Sequence, residues 1–183
     1  MHKLQIDPIV YILAAFLLLT VPVRWLMATV FAAAFHELCH WLVISFLGGN
    51  VWQLRIGVRG AQMETEPMDA VRDMIAAAAG PVGSFLLLSL AGYFPRIALC
   101  AAIQGAYNLL PMMPLDGGRI INGILCCLFS PVKAKKISQW LTAITATAIL
   151  LAALSARLGL LPILIMVPFL REWREIFLAK RAN

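Results

Sequence analysis

The chemistry of this chain concentrates in His36-Glu37-Leu38-Cys39-His40. On a helix, residues four apart share a face, so His36 and His40 present two imidazoles about 6 Å apart, a spacing that suits two ligands on one zinc ion. Glu37 is rotated by about 100° from His36. That places it beside the metal, to act on a water rather than to ligate. The flanking residues, Trp25 to Leu47, form an apolar run. Ionisable side chains inside a membrane helix are costly and mark function. The plainer alternative is hydrogen bonding of His36 and Glu37 to polar groups on neighbouring helices.

Two histidines do not hold a catalytic zinc well, and a third protein ligand is expected, with a fourth position left to water. The candidates are Asp116, Glu64, Glu66, Asp69, Asp73 and Cys39. Asp116 is favoured because it lies on a broken apolar run. His40 lies seven residues before Leu47 and Asp116 thirteen before Phe129, which gives depths of about 10 Å and up to about 20 Å from the ends of their runs. A cap for a helix starting near Gly117 is the other role open to Asp116.

The elements that must position these groups are membrane spans. Of 183 residues, 62% are hydrophobic and 13% charged, with a mean hydropathy of +0.87. A soluble domain is about 45–50% apolar and about 25% charged. This composition excludes an ordinary cytosolic enzyme, a disordered tail and a secreted disulfide scaffold. With about 20 apolar residues per span, the chain holds at most about six. The net charge of +6 fits cytoplasmic loops rather than nucleic acid, and no nucleic-acid partner is expected. Cys39, Cys100, Cys126 and Cys127 lie in apolar runs with no C-x-x-C pair and read as reduced, packed thiols. No small-residue cleavage site follows the first run, so it is expected to be a retained span.

Run one covers Ile6 to Val23 and run two Trp25 to Leu47, where Gly48-Gly49-Asn50 breaks it. From Val51 to Glu66, alternation of period two with Gly60 at the turn predicts a short β-hairpin. Asp69 is a helix cap for run three, Met74 to Phe94, which Gly80-Pro81 interrupts; proline is tolerated in a membrane helix whose neighbours satisfy the freed backbone groups. Run four, Ile97 to Phe129, is broken by Pro111-Met-Met-Pro-Leu-Asp-Gly-Gly118. Such a stretch does not stay helical, and unwound backbone at membrane depth survives only where protein or a watery cavity surrounds it. Run five covers Ile137 to Ala156 and run six Leu158 to Leu170. With the N-terminus cytoplasmic and six crossings, eleven basic residues from Lys3 to Arg181 fall inside, and Arg24, Arg96 and Arg157 outside. The basic stretch Arg171 to Asn183, with Trp173, reads as an interfacial anchor. The expected fold is an all-α polytopic membrane protein of about six transmembrane helices. It carries a short membrane-associated β-hairpin after the second helix and a broken fourth span. It forms one domain over 1–183, with a catalytic core of about 25–130 and accessory helices at 6–23 and 137–170.

His36-Glu-Leu-Cys-His40 in one run, Gly80-Pro81 in the next, and Asn108-Leu-Leu-Pro-Met-Met-Pro-Leu-Asp-Gly-Gly118 together resemble the site-2 protease family of intramembrane zinc metalloproteases. The long Asn–Pro–Asp–Gly motif is similar to that of the stage IV sporulation branch, whose C-terminal nucleotide-sensing domain has no counterpart after Leu170. The resemblance covers about residues 6–130. It implies one Zn2+ per chain on His36, His40 and Asp116, with Glu37 as general base. It also implies that Asn108, with the extended stretch through Pro111 and Pro114, orients substrate, and that the hairpin pairs with an unwound substrate strand. The implied substrate is a membrane protein with a transmembrane segment, and the implied location is the bacterial plasma membrane with both termini cytoplasmic. A glycine is common at the Cys39 position, so cysteine there reads as a tolerated small residue. A catalytically silent membrane partner and a zinc or other cation transporter are the rival readings. Transporters also bury ionisable groups at mid-membrane, but no repeated halves are present.

Overall fold

The computed structural model describes residues 3–57 and 60–156. Run six, the basic stretch Arg171 to Asn183 and the hairpin's turn at 58–59 lie outside the described residues. The chain divides into two compact units, Met1–Asn108 and Leu109–Asn183.

The first unit holds β1 (Lys3–Ile6), α1 (Pro8–Thr20), α2 (Val23–Phe46), β2 (Val51–Gly57), β3 (Gly60–Thr65), α3 (Ala70–Leu86), a 3-10 turn (Leu87–Leu90) and α4 (Pro95–Asn108). Helix α2 buries Ala28, Ala32, His36, His40 and Ile44, a stripe in steps of four that runs along one face. Trp25, Met27, Val30, Phe31, Leu42 and Phe46 stay exposed on its other faces, as befits a helix solvated by lipid. The stripe packs on α3 and α4, whose buried residues are mostly Ala, Gly and Ser: Ala76, Ala77, Gly80, Gly83 and Ser84 on α3, and Ala98, Ala101 and Gly105 on α4. Small residues let helix backbones approach closely where no hydrophobic effect drives helices together. Ala32, Leu87 and Ala101 form one core cluster, bordered by Phe35 and Ile97.

Helix α2 ends at Phe46 with Leu47 as its C-cap, and Gly48 follows with a φ of 79°, open to glycine without strain. The following hairpin forms as expected, β2 antiparallel to β3 with Leu54 opposite Met63 and a register shift between Val51 and Gln53. The sheet has a third strand that the sequence reading omitted. Strand β1 runs parallel to β2, with Leu4 opposite Leu54, and Asp7 N continues the ladder to Ile56 O at 2.9 Å. An ion pair of 3.2 Å between Arg55 and Asp7 and a Gln53–Gln5 hydrogen bond of 2.7 Å reinforce it. Ile44, Val51 and Ala76 cluster beneath, so the sheet is seated on the C-terminal end of α2 and the N-terminal part of α3. Asp69 caps α3 as expected, accepting from Arg72 N at 2.9 Å. Helix α3 continues through Gly80-Pro81, as a proline tolerated within a packed helix allows, and it tightens only at Leu87.

The second unit holds α5 (Asp116–Leu128) and α6 (Pro131–Ser155), which pack on each other. Run four is therefore two helices, α4 and α5, separated by the segment 109–115. Three of the six described helices are long and apolar enough to cross a membrane: Val23–Phe46, α3 with its 3-10 turn (Ala70–Leu90), and Pro131–Ser155. Helices α1, α4 and α5 have 13, 14 and 13 residues, about 20 Å each against a hydrocarbon core of about 30 Å.

Candidate metal centre

His36 and His40 lie within the buried stripe of α2, between Ala32 and Ile44, and are 1% and 5% exposed. Each ring is anchored through its Nδ1. His40 Nδ1 donates to Ala76 O at 2.7 Å. A carbonyl only accepts, so Nδ1 carries the proton and Nε2 presents a lone pair. His36 Nδ1 meets Ser84 Oγ at 2.8 Å. The two Nε2 atoms face one another at 3.1 Å, with the ring planes crossed at 80°. Asn108, the last residue of α4, brings its Nδ2 to 3.4 Å from His36 Nε2. Two helices thus aim three polar side chains at one spot within the first unit.

Gly80 makes that spot possible. A Cβ there would strike both Nε2 atoms, so only glycine lets the α3 backbone lie against the imidazole edges. The donors fit a zinc ion: two imidazoles with their Nε2 atoms converging, each oriented by an outer hydrogen bond. With Zn–N distances of about 2.0–2.1 Å, nitrogens 3.1 Å apart lie within reach of one ion. Glu37 follows His36 on α2 and is half-buried. Among the other ligand candidates of this unit, Asp69 is exposed, caps α3 and pairs with Arg72. Glu66 is exposed, and Cys39 Sγ packs against the α3 backbone at Gly83, where a Cβ would overlap it.

In the second unit, Asp116 is the first residue of α5 and is 7% exposed. The helix begins at Asp116 itself, so it stands in the first turn rather than capping a helix that starts at Gly117. A carboxylate there is favoured by the helix dipole, and Arg119 Nη1 lies 3.8 Å from its Oδ1. Pro111 and Pro114 lie in the preceding segment, where the Met113–Pro114 peptide is cis. That segment folds back on the start of α5. A Cβ on Gly117 would meet the carbonyls of Leu109 and Leu110, and one on Gly118 the backbone of Met112 and Met113.

The sequence reading named His36, Glu37, His40, Asn108 and Asp116 but passed over Ser84, Ala76 O and the steric role of Gly80. A signal for Ser84 was present: a serine one helical turn beyond Gly80 in an apolar run, on a face where a hydroxyl must find a partner.

Residues 60–153 match the model of peptidase family M50, and the chain belongs to that family. A curated relative, the zinc metalloprotease MJ0392 of Methanocaldococcus jannaschii, is 26% identical over 117 residues, 56% of this chain and 34% of that protein. The chain thus spans about a third of that relative's length. The solved site-2 protease from the same organism superposes with a TM-score of 0.71 at 19% identity, over 95% of this chain and 90% of that one. The fold is that of a site-2 protease, and three of the described helices are long and apolar enough to cross a membrane.

Proposed function

We propose that this chain is an intramembrane zinc metalloprotease that hydrolyses a peptide bond within or near a transmembrane segment of a membrane-protein substrate. The observation that carries the reading is the convergence of His36 Nε2 and His40 Nε2 at 3.1 Å inside an apolar helix, each ring oriented from behind. Membership of a peptidase family and the zinc metalloprotease among its relatives support it. In this reading His36, His40 and Asp116, all buried, supply the three protein ligands of one Zn2+. The metal, when bound, polarises the scissile carbonyl and makes hydroxide available near neutral pH.

The chain's own residues do the rest. Glu37 takes a proton from the attacking water and delivers it to the leaving nitrogen. Asn108 holds the substrate backbone with its side-chain amide, helped by the extended segment of Pro111 and Pro114. A substrate helix hides its carbonyls in i→i−4 bonds. The sheet gives an unwound segment a strand to pair with, exchanging those bonds for ladder bonds. Ligand order and the Asn108–Gly118 motif further resemble the stage IV sporulation branch. The positive-inside bias supports six crossings with both termini cytoplasmic in a bacterial plasma membrane.

The test is cleavage of a transmembrane substrate by purified protein in detergent. A chelator should abolish it and added zinc restore it. Zinc uptake into proteoliposomes without cleavage would favour a transporter, and zinc binding with neither would favour a silent partner.

A further inference from the structure

We propose that Thr142, at mid-length in α6, is a positioning residue for the metal centre, fixing the 109–115 segment that carries Asp116. The inference rests on the reading of Asp116 as a ligand.

The argument begins with the backbone donors of that segment. Pro111 and Pro114 have none. Met112 N donates to Leu110 O at 2.7 Å and Leu115 N to Met112 O at 2.8 Å. Met113 N turns out of the segment and donates to Thr142 Oγ1 at 3.0 Å. Thr142 is 0% exposed and donates in turn to Ser138 O at 2.9 Å. The direction of this relay is forced. An amide only donates and a carbonyl only accepts, so the single hydroxyl proton goes to Ser138 O and a lone pair receives Met113 N–H. No water or alternative acceptor is needed for the pair to be satisfied.

Packing carries the same message. Ser138, Thr142 and Ala146 lie one helical turn apart on one buried face of α6. Ala146 joins Met112 and Leu115 in a core cluster bordered by Leu110 and Ile149. Small side chains on α6 let the segment's backbone come close on one side, and Gly117 and Gly118 let it close on the other. Asp116 follows Leu115 directly. A shift of Met113 is therefore passed through the Leu115 N–Met112 O bond to the first turn of α5. Outer groups that hydrogen-bond a ligand directly typically change metal affinity by about 10–100-fold when lost; Thr142 acts on Asp116 through the backbone, so the lower end of that range is expected.

The experiment measures zinc affinity of the full-length protein in detergent by chelator competition, beside its thermal unfolding. Thr142→Val keeps shape and removes the hydroxyl; Thr142→Ser keeps the hydroxyl. We expect Thr142→Val to weaken zinc binding by about tenfold or more and Thr142→Ser to stay within about twofold of wild type. A folded Thr142→Val with a lowered Tm but wild-type zinc affinity would mean a merely structural threonine and overturns the proposal. Should that variant not fold, Thr142→Cys keeps the volume and weakens the acceptor. It is then expected to show the same loss in smaller measure, and wild-type affinity in folded Thr142→Cys is equally fatal. Asp116→Ala separates the premises. Zinc loss in Asp116→Ala with none in Thr142→Val rejects the positioning role alone, whereas wild-type zinc binding in Asp116→Ala rejects the ligand reading beneath it.

Discussion

The two units hold their metal-binding groups in opposite ways. In the first, His36 and His40 stand on an unbroken 24-residue helix. Their geometry follows from helical spacing, and neighbouring α3 needs only a glycine, a carbonyl and a serine to complete it. In the second, Asp116 follows an irregular segment with two prolines, whose Met113 N donates to Thr142 on α6, 29 residues further on. The first arrangement is rigid by local structure. The second is rigid only through long-range contacts. The contrast sets where each is expected to be vulnerable: the histidine pair to steric intrusion from α3, and the aspartate, on the proposal above, to loss of a remote hydrogen bond.

Removing the chemistry while leaving both frames intact is the largest perturbation. Glu37→Gln is expected to keep zinc and to lower cleavage by at least about 100-fold. Unimpaired cleavage by that variant would remove the general-base assignment. Next is intrusion into the histidine frame. Gly80→Ala places a Cβ on both Nε2 atoms, and we expect zinc stoichiometry to collapse while α2 and α3 remain helical by circular dichroism. Smaller is the loss of one outer hydrogen bond. Ser84→Ala removes the partner of His36 Nδ1 and should weaken zinc by about 10–100-fold, read by chelator competition. If Ser84→Ala and wild type compete equally, the anchoring of His36 is packing alone. The smallest effect lies outside both frames. Asp69→Ala removes the cap of α3 and should cost about 1 kcal/mol of stability, visible as a modest fall in Tm with zinc binding unchanged.

The same contrast governs how much could be read in advance. The histidine face of α2, the helix break at Gly48, the Asp69 cap and the β2–β3 hairpin depend on residues within a few positions of one another, and each was legible. Strand β1 was not. Four residues carry too little alternation to register, and its stability comes from pairing with β2 some fifty residues away. The division of run four into α4 and α5 was foreseen as a break, because prolines announce it, but two short helices were not distinguished from one interrupted span. Gly80-Pro81 interrupts the apolar pattern but not the helix, since α3 runs through it, as proline in a packed membrane helix allows. Within the site, Glu37, both histidines and Asp116 were visible as residue types. Ser84 left only the faint signal of a serine one turn beyond Gly80, and Thr142 none, because a hydroxyl in an apolar helix reveals its partner only once the helices are packed.

The most direct test of the account is the zinc content of full-length protein purified in detergent, wild type beside His36→Ala and Asp116→Ala. The account predicts about one zinc per chain in wild type, with loss or marked weakening in both variants. Folded wild-type protein that takes up no zinc, or an Asp116→Ala variant that binds as tightly as wild type, would contradict it.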